Sequence, residues 1–64
     1  MLIDTEMINR GIRDTRFSVI QLAEGTGLSR QAIYNIRKNV TDIHKIELNS
    51  AISIQKFLNN RQYQ

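Results

Sequence analysis

Two glycines separated by a single residue interrupt a helical pattern near the middle of this 64-residue chain. Before them, Leu22 and Ala23 belong to an amphipathic stretch, and after them Ser29 opens a second stretch with apolar residues at helical spacing. Glycine adopts positive φ angles at little cost, so the segment Gly25-Thr26-Gly27 predicts a tight turn between two helices. Helices joined by such a short turn cross steeply, and the second helix should therefore project from the domain.

Two helices are predicted before the glycines. Asp4 or Thr5 can cap the first, which should end near Thr15. Ser18 can cap the second, with Gln21 three residues later as in a capping box, and this helix should run to about residue 24. Both segments carry apolar residues at helical spacing, which favours amphipathic helices that pack on a common core.

The segment after the second helical stretch is also predicted to be helical. Asn39 is the expected stop, because asparagine tolerates the left-handed conformation. Thr41 or Asp42 then opens one short and one longer helix, with a break near residues 47–50. Alternation at residues 51–54 is short and lacks a hairpin signal, so strands are disfavoured. The expected fold class is all-α, with four or five helices.

Size and composition exclude several classes of protein. A chain of 64 residues has room for a single domain, so 1–64 is treated as one unit. The absence of cysteine excludes disulfides and thiolate metal sites, and one histidine cannot form a zinc site alone. No secretory signal or membrane-spanning run is seen, so a cytoplasmic protein is expected, associated with the nucleoid if it binds DNA. Oligomerisation is the expected additional source of stability.

Charge is distributed unevenly along the chain. Nine lysine and arginine residues against six aspartate and glutamate residues leave a net charge of +3. The cations that cluster on either side of the glycines are Arg10, Arg13 and Arg16, then Arg30, Arg37, Lys38 and Lys45. Clustered positive charge suits a polyanion such as nucleic acid. Charge alone does not distinguish a nucleic-acid-binding surface from an ordinary solvated surface.

The residues around the turn follow a recurrent order: an alanine, a glycine four residues later, then an apolar residue, a serine and an isoleucine. These positions and the flanking apolar positions are occupied by Ala23, Gly27, Leu28, Ser29, Ile33, Leu22 and Ile36. The order resembles the helix-turn-helix of phage repressor and Cro-type regulators over about residues 18–38. The resemblance implies a lambda repressor-like DNA-binding fold. Val19 and Arg37 depart from it, since the family often has glutamine and glutamate there.

The resemblance further implies that the helix at about 29–38 enters a DNA major groove. Arginine matches guanine and glutamine or asparagine matches adenine, so the expected base contacts are Arg30, Gln31, Tyr34 and Asn35. Expected contacts to the DNA backbone are Ser18, Gln21, Ser29, Arg37, Lys38, Thr41 and Lys45. Two alternatives stay open: Ser29 can cap the helix as well as touch a phosphate, and Arg37 and Lys38 can merely complement the helix dipole.

The predicted function is that of a minimal Cro-type repressor, a sequence-specific regulator of transcription that occupies an inverted-repeat operator in double-stranded DNA. Two copies related by two-fold symmetry would place their recognition helices about 34 Å apart. Three apolar residues near the end of the chain could form the dimer interface or close the core: Ile54, Phe57 and Leu58.

Other classes of function are weaker. An ordinary helical hairpin explains the apolar pattern equally well, but not why residues 30–38 contain no acidic residue. A protein-interaction module, an antirepressor or antitoxin, is the main alternative. An enzyme is disfavoured because the chain has no cysteine nucleophile, no phosphate-binding glycine loop and no acid/base pair around His44. No cofactor, metal or small-molecule ligand is expected.

Overall fold

The computed structural model describes residues 3–63, and within that range the protein is all-α. Its helices are α1 (Thr5–Arg13), α2 (Val19–Thr26), α3 (Arg30–Arg37) and α4 (Leu48–Asn60), with a 3₁₀ helix, Ile43–Lys45, between α3 and α4. No strand occurs in the described range. The expected all-α class is confirmed, and so are the short and the longer helix predicted after residue 39.

Side-chain caps begin three of the helices where the sequence predicts them. Asp4, Ser18 and Ser29 each accept a hydrogen bond from the backbone N–H three residues later, over 3.0 to 3.1 Å. Such a bond satisfies one of the N–H groups that a helix start leaves without an intrahelical partner. Asp42 likewise accepts from the N–H of His44 at the start of the 3₁₀ helix. Asp4, rather than Thr5, therefore caps α1.

The end of α2 differs from the expectation. The helix continues through Gly25 to Thr26, and only Gly27 leaves the helical conformation, with φ at 78°. Gly25 is required for packing, because a Cβ atom there would overlap the aromatic ring of Phe57 on α4. Of the two glycines, one makes the turn and the other lets two helices approach closely. α1 is also shorter than predicted and ends at Arg13.

Asn39 ends α3 as predicted. It adopts a left-handed conformation with φ at 62°, and the N–H of Val40 donates to the carbonyl oxygen of Asn35 over 2.8 Å. This is the hydrogen bond of a Schellman cap, which satisfies carbonyls that the helix end leaves open. The break predicted near residues 47–50 lies slightly earlier, at Ile46 and Glu47, between the 3₁₀ helix and α4.

Every helix contributes side chains to one core. Its buried apolar members are Ile8, Ile12, Leu22, Ile33, Ile36, Ile43, Ala51, Ile54, Phe57 and Leu58. Of the two roles left open for Ile54, Phe57 and Leu58, closing the core is the one observed: their exposed fractions are 0%, 6% and 0% within one protomer, which leaves none of them exposed for a dimer interface. α4 packs on both α1 and α2, so this apolar face is already covered. Burying each of the side chains of Ile54, Phe57 and Leu58 stabilises the fold by about 1.5 to 3 kcal/mol.

Candidate nucleic-acid interface

α3 presents two different faces. Ile33 and Ile36 are buried in the core, whereas Arg30, Gln31 and Tyr34 are exposed on the opposite side. The periodicity of 3.6 residues separates these two sets along the helix. No acidic residue occurs anywhere in α3. The exposed face is therefore polar and positively charged, with hydrogen-bonding side chains that project away from the core.

The connection from α2 to α3 is only three residues long and is held at several points. The N–H of Gly27 donates to the carbonyl oxygen of Ala23, and Leu28 packs against the core. Buried Thr26 adds contacts that the sequence analysis missed: its hydroxyl donates to the carbonyl of Leu22 over 2.7 Å and accepts from the N–H of Leu28 over 3.3 Å. A threonine in a helix can donate its hydroxyl to the carbonyl oxygen four residues earlier. The position of Thr26 in the sequence is therefore a signal from which this contact could have been predicted. These contacts hold the connection in place and therefore fix the position of the first residue of α3 relative to α2.

The C-terminal end of α3 is anchored by Arg37. Its guanidinium donates to three carbonyl oxygens: those of Ile12 over 2.7 Å, Asp14 over 3.2 Å and Phe17 over 2.7 Å. These carbonyls lie at the end of α1 and in the loop that leads to α2. The Arg37 guanidinium therefore has three backbone partners inside the protein. We accordingly leave it out of the DNA contacts that we propose.

Arg13 completes this anchor from the opposite direction. Its guanidinium donates to the carbonyl oxygen of Arg37 over 3.1 Å and to the side-chain oxygen of Asn39 over 2.6 Å, while its Nε binds Asn9. Each of the two arginines thus donates to a backbone carbonyl of the other helix: Arg13 of α1 to α3, and Arg37 of α3 to α1. We call Arg13, Arg37 and Asn39 the arginine clamp. The clamp holds one end of α3, and the turn after α2 holds the other.

Two pairs of side chains are in contact on the exposed face of α3. Gln31 Nε2 donates a hydrogen bond to Asn35 Oδ1 over 2.9 Å. The ammonium group of Lys38 lies 5.6 Å from the centre of the Tyr34 ring, within the range of a cation–π interaction. Both pairs have the i, i+4 spacing that makes helical residues neighbours. Four of the residues predicted to contact DNA therefore form two pairs in the protein itself.

The other predicted contacts to the DNA backbone lie at the start of α2, at the N-cap of α3 and after the end of α3. Ser18 and Gln21 are exposed at the start of α2, Ser29 and Lys45 are exposed, and Thr41 is half-buried. The capping role of Ser29 is confirmed by its hydrogen bond, whereas its contact with a phosphate stays a prediction. His44 is exposed, and it is not required for the arrangement described above.

The positive charge near α3 comes from fewer residues than the composition suggests. Arg13 belongs to the clamp, and Arg16 pairs with Asp14 at 2.7 Å. Side-chain and backbone hydrogen bonds from Arg16 hold the pKa of the Asp14 carboxyl well below its ordinary value, and a hydrogen bond from the Tyr63 hydroxyl acts in the same direction. Arg61 stacks over the Phe57 ring at 4.3 Å. The exposed cations between the start of α3 and the start of α4 are then Arg30, Lys38 and Lys45.

Two further kinds of site can be assessed in the described part of the chain. Among residues 3–63, no three His, Cys, Asp or Glu side chains come close enough together to hold a metal ion. None of the helices in that range has the length and apolar content needed to span a membrane.

Comparisons with known proteins identify no relative. No protein-family model matches the chain, and neither a curated protein nor a solved structure matches it.

Proposed function

We propose that the protein binds double-stranded DNA in a sequence-specific manner and acts as a small transcriptional repressor of the Cro type. α2, the connection 27–29 and α3 would form a helix-turn-helix, with α3 as the recognition helix. The observation that carries this proposal is the exposed face of α3, which is rich in hydrogen-bonding side chains, contains no acidic residue and projects away from a fully buried apolar face.

The order of residues along α3 suits a helix whose N-terminal part reads bases. Arg30 and Gln31 occupy its first turn, and Tyr34 follows one turn later. A B-DNA major groove is about 12 Å wide and admits one helix. In helix-turn-helix proteins the first residues of the recognition helix contact base edges. Lys38 and Lys45, which are exposed beyond this region, supply charge for phosphates on the flanking backbone.

The exposed face of α3 is poorly suited to binding a protein. A helix that docks in a protein groove presents apolar anchors at i, i+3, i+4 and i+7 spacing. The isoleucines of α3 with such spacing, Ile33 and Ile36, are buried in the core and are not accessible to a partner. The exposed side chains instead combine positive charge with amide groups, which match phosphates and base edges. DNA is therefore favoured over an antirepressor or antitoxin function without DNA binding.

We also propose that two copies bind together on an inverted repeat. Their recognition helices would then lie about 34 Å apart, one helical turn of DNA. Because Ile54, Phe57 and Leu58 are buried, the dimer must use another surface. Val40 and Leu48 are the most exposed large apolar side chains of residues 3–63, at 71% and 65%. The mass of the complex on its selected duplex gives the number of copies bound.

Selection of bound duplexes from a random DNA pool, at about 0.15 M salt, tests the proposed function. Non-specific binding weakens at this salt concentration because the release of counterions from DNA is less favourable when the surrounding salt concentration is higher. We expect an inverted repeat to be enriched. No enrichment, with binding that disappears as salt is raised, would refute sequence-specific recognition and leave the protein-interaction module as the better interpretation.

Two variants then test the role of α3. Arg30→Ala and Gln31→Ala should each weaken binding to the selected duplex by about 5- to 150-fold, which corresponds to about 1 to 3 kcal/mol for a lost base contact. Their far-UV circular dichroism should match that of the original protein, because both side chains are exposed. Lys56→Ala is the control, since it removes an exposed cation from α4. Equal losses for Arg30→Ala and Lys56→Ala, with no loss for the uncharged substitution Gln31→Ala, would mean that charge alone drives binding.

A further inference from the structure

The hydrogen bond between Gln31 and Asn35 lies within the face proposed to read DNA. Gln31 Nε2 donates to Asn35 Oδ1 over 2.9 Å, one helical turn further along α3. Gln31 is exposed, whereas the side chain of Asn35 is half-buried. The bond therefore links an exposed amide to a residue that is partly enclosed by the protein.

Asn35 is a well-anchored partner. Its carbonyl oxygen accepts the N–H groups of Val40 and Thr41, over 2.8 and 3.1 Å, at the end of α3. The arginine clamp holds the same end of the helix, since Arg13 binds the carbonyl oxygen of Arg37. The backbone that carries the Asn35 side chain is thus fixed from two sides. A flexible glutamine that bonds to it loses rotational freedom before any ligand is present.

The bond also determines which groups of Gln31 remain available. A glutamine amide has one carbonyl oxygen and two N–H donors. One donor is used by Asn35, so the outward edge retains Oε1 as an acceptor beside one remaining N–H. Rotating the amide by half a turn would bring Oε1 against Asn35 Oδ1, and two acceptors would then face each other. With Asn35 Oδ1 facing Nε2, the acceptor and donor of Gln31 are held in one order.

This order is complementary to one base in the major groove. Adenine presents the N7 acceptor beside the N6 amino donor, which match the N–H and Oε1 of a glutamine. Guanine presents two acceptors, N7 and O6, and O6 would face Oε1 of the fixed amide. A freely rotating glutamine could instead turn its amino group toward guanine. Fixing the amide should thus raise the preference for adenine over guanine.

We propose that Gln31 reads an adenine and that Asn35 is a positioning residue, which acts through Gln31 by holding its amide in the orientation that adenine requires. This inference rests on the proposed function, because it assumes that α3 lies in a major groove. It also changes the role expected for Asn35, from a base contact in its own right to a residue that sets the specificity of its neighbour.

The experiment uses the duplex recovered by selection and replaces its adenines one at a time by 7-deazaadenine, which keeps base pairing but lacks the N7 acceptor. Binding is measured for the original protein, Gln31→Ala and Asn35→Ala. The original protein should lose about 5- to 30-fold in affinity at one adenine. Gln31→Ala should show no loss at that adenine. Asn35→Ala should lose less than about threefold there, because its Gln31 amide is no longer held.

A second measurement replaces the same adenine–thymine pair by guanine–cytosine. Asn35→Ala should show a smaller preference for adenine than the original protein, while its preferences at the remaining positions stay unchanged. A helix that was merely destabilised would lose affinity at all positions together. Asn49→Ala is the matched control, since it removes an exposed asparagine from α4. Its binding should equal that of the original protein on every duplex.

The free protein provides an independent readout of the same contact. In its amide NMR spectrum, the Gln31 side-chain proton bonded to Asn35 should be shifted downfield relative to the other exposed glutamines. In Asn35→Ala this shift should disappear. Persistence of the shift would overturn the positioning role, whatever the substitution does to binding.

The outcomes separate this inference from the proposed function. If the 7-deazaadenine loss is as large in Asn35→Ala as in the original protein, the inference fails and sequence-specific binding stands. The same holds if Asn35→Ala abolishes the preference at a different base pair, because Asn35 would then read a base directly. If selection yields no specific duplex, both the proposed function and the inference fail.

Discussion

Replacing Arg37 by alanine should destabilise the protein much more than replacing its neighbour Lys38. Both substitutions remove one positive charge from the end of α3. Lys38 is exposed, whereas the Arg37 guanidinium donates to three backbone carbonyl oxygens of α1 and the following loop. Without the guanidinium, these carbonyls lose a charged donor, and the contact between α3 and α1 loses its main polar link.

The size of the effect follows from these hydrogen bonds. A hydrogen bond to a charged group contributes about 1.5 to 3 kcal/mol, and sharing one half-buried guanidinium reduces the contribution of each to about 1 kcal/mol. We therefore expect Arg37→Ala to lower the free energy of unfolding by about 2 to 4 kcal/mol. A domain of 64 residues has a total of about 3 to 10 kcal/mol. The substitution should remove a large part of this stability.

Urea unfolding followed by far-UV circular dichroism measures this difference. Lys38→Ala should change the free energy of unfolding by less than about 0.5 kcal/mol, as is usual for an exposed residue. Arg37→Lys should recover less than half of the loss, because an ammonium group cannot reach three carbonyls in the way a planar guanidinium does. If Arg37→Ala and Lys38→Ala shift the urea midpoint equally, the hydrogen bonds of Arg37 do not stabilise the fold.

Two further predictions concern packing and pH. Gly25→Ala should lower the free energy of unfolding by about 1 to 2 kcal/mol in urea, because overlap with the Phe57 ring outweighs the better helix propensity of alanine. The Arg16 hydrogen bonds lower the pKa of Asp14, so the pair stabilises the fold above the unfolded-state pKa of 3.8 and this stabilisation is lost as the pH falls below it. Unfolding free energies measured from about pH 5 to pH 2 should therefore decline more steeply for the original protein than for Asp14→Asn.

Each of these predictions has a clear contrary result. Glu24→Ala is the control for Gly25→Ala, since Glu24 is exposed on the same helix, and equal stabilities of the two variants would show that the Phe57 ring moves aside at no cost. For Asp14, parallel pH curves of the original protein and Asp14→Asn would show that the carboxyl has the same pKa in the folded and unfolded chains.

Much of the local structure could be predicted because it depends on residues close together in sequence. The caps Asp4, Ser18 and Ser29 bind N–H groups three residues away. The left-handed conformations at residues 27 and 39 follow from the residue types, because glycine has no Cβ atom and asparagine tolerates this conformation. Helical periodicity likewise separates the two faces of α3. The exposed candidates for DNA contact were therefore identifiable without a structure, although their contacts with DNA stay predictions.

Contacts between distant residues could not be predicted in this way. Arg37 carries the same charge as Lys38, and only the approach of α1 and the loop after it, 20 to 25 positions earlier, gives it three carbonyl partners. From the sequence, Gly25 is predicted to be part of the turn. The structure instead places it against the Phe57 ring of α4, where a Cβ atom would overlap the ring. In each case the residue type is compatible with two roles, and the partner that decides between them lies elsewhere in the chain.

The sequence by itself determined the all-α class, the places where helices begin and turn, and the polar, positively charged face of α3, because caps, turns and periodicity are local properties. Only the tertiary structure decided that Ile54, Phe57 and Leu58 belong to the core and that Arg13 and Arg37 hold the domain together. Apolar spacing shows that a face must be covered, and charge shows that a partner is needed. Which group covers the face or supplies the partner depends on how the helices pack.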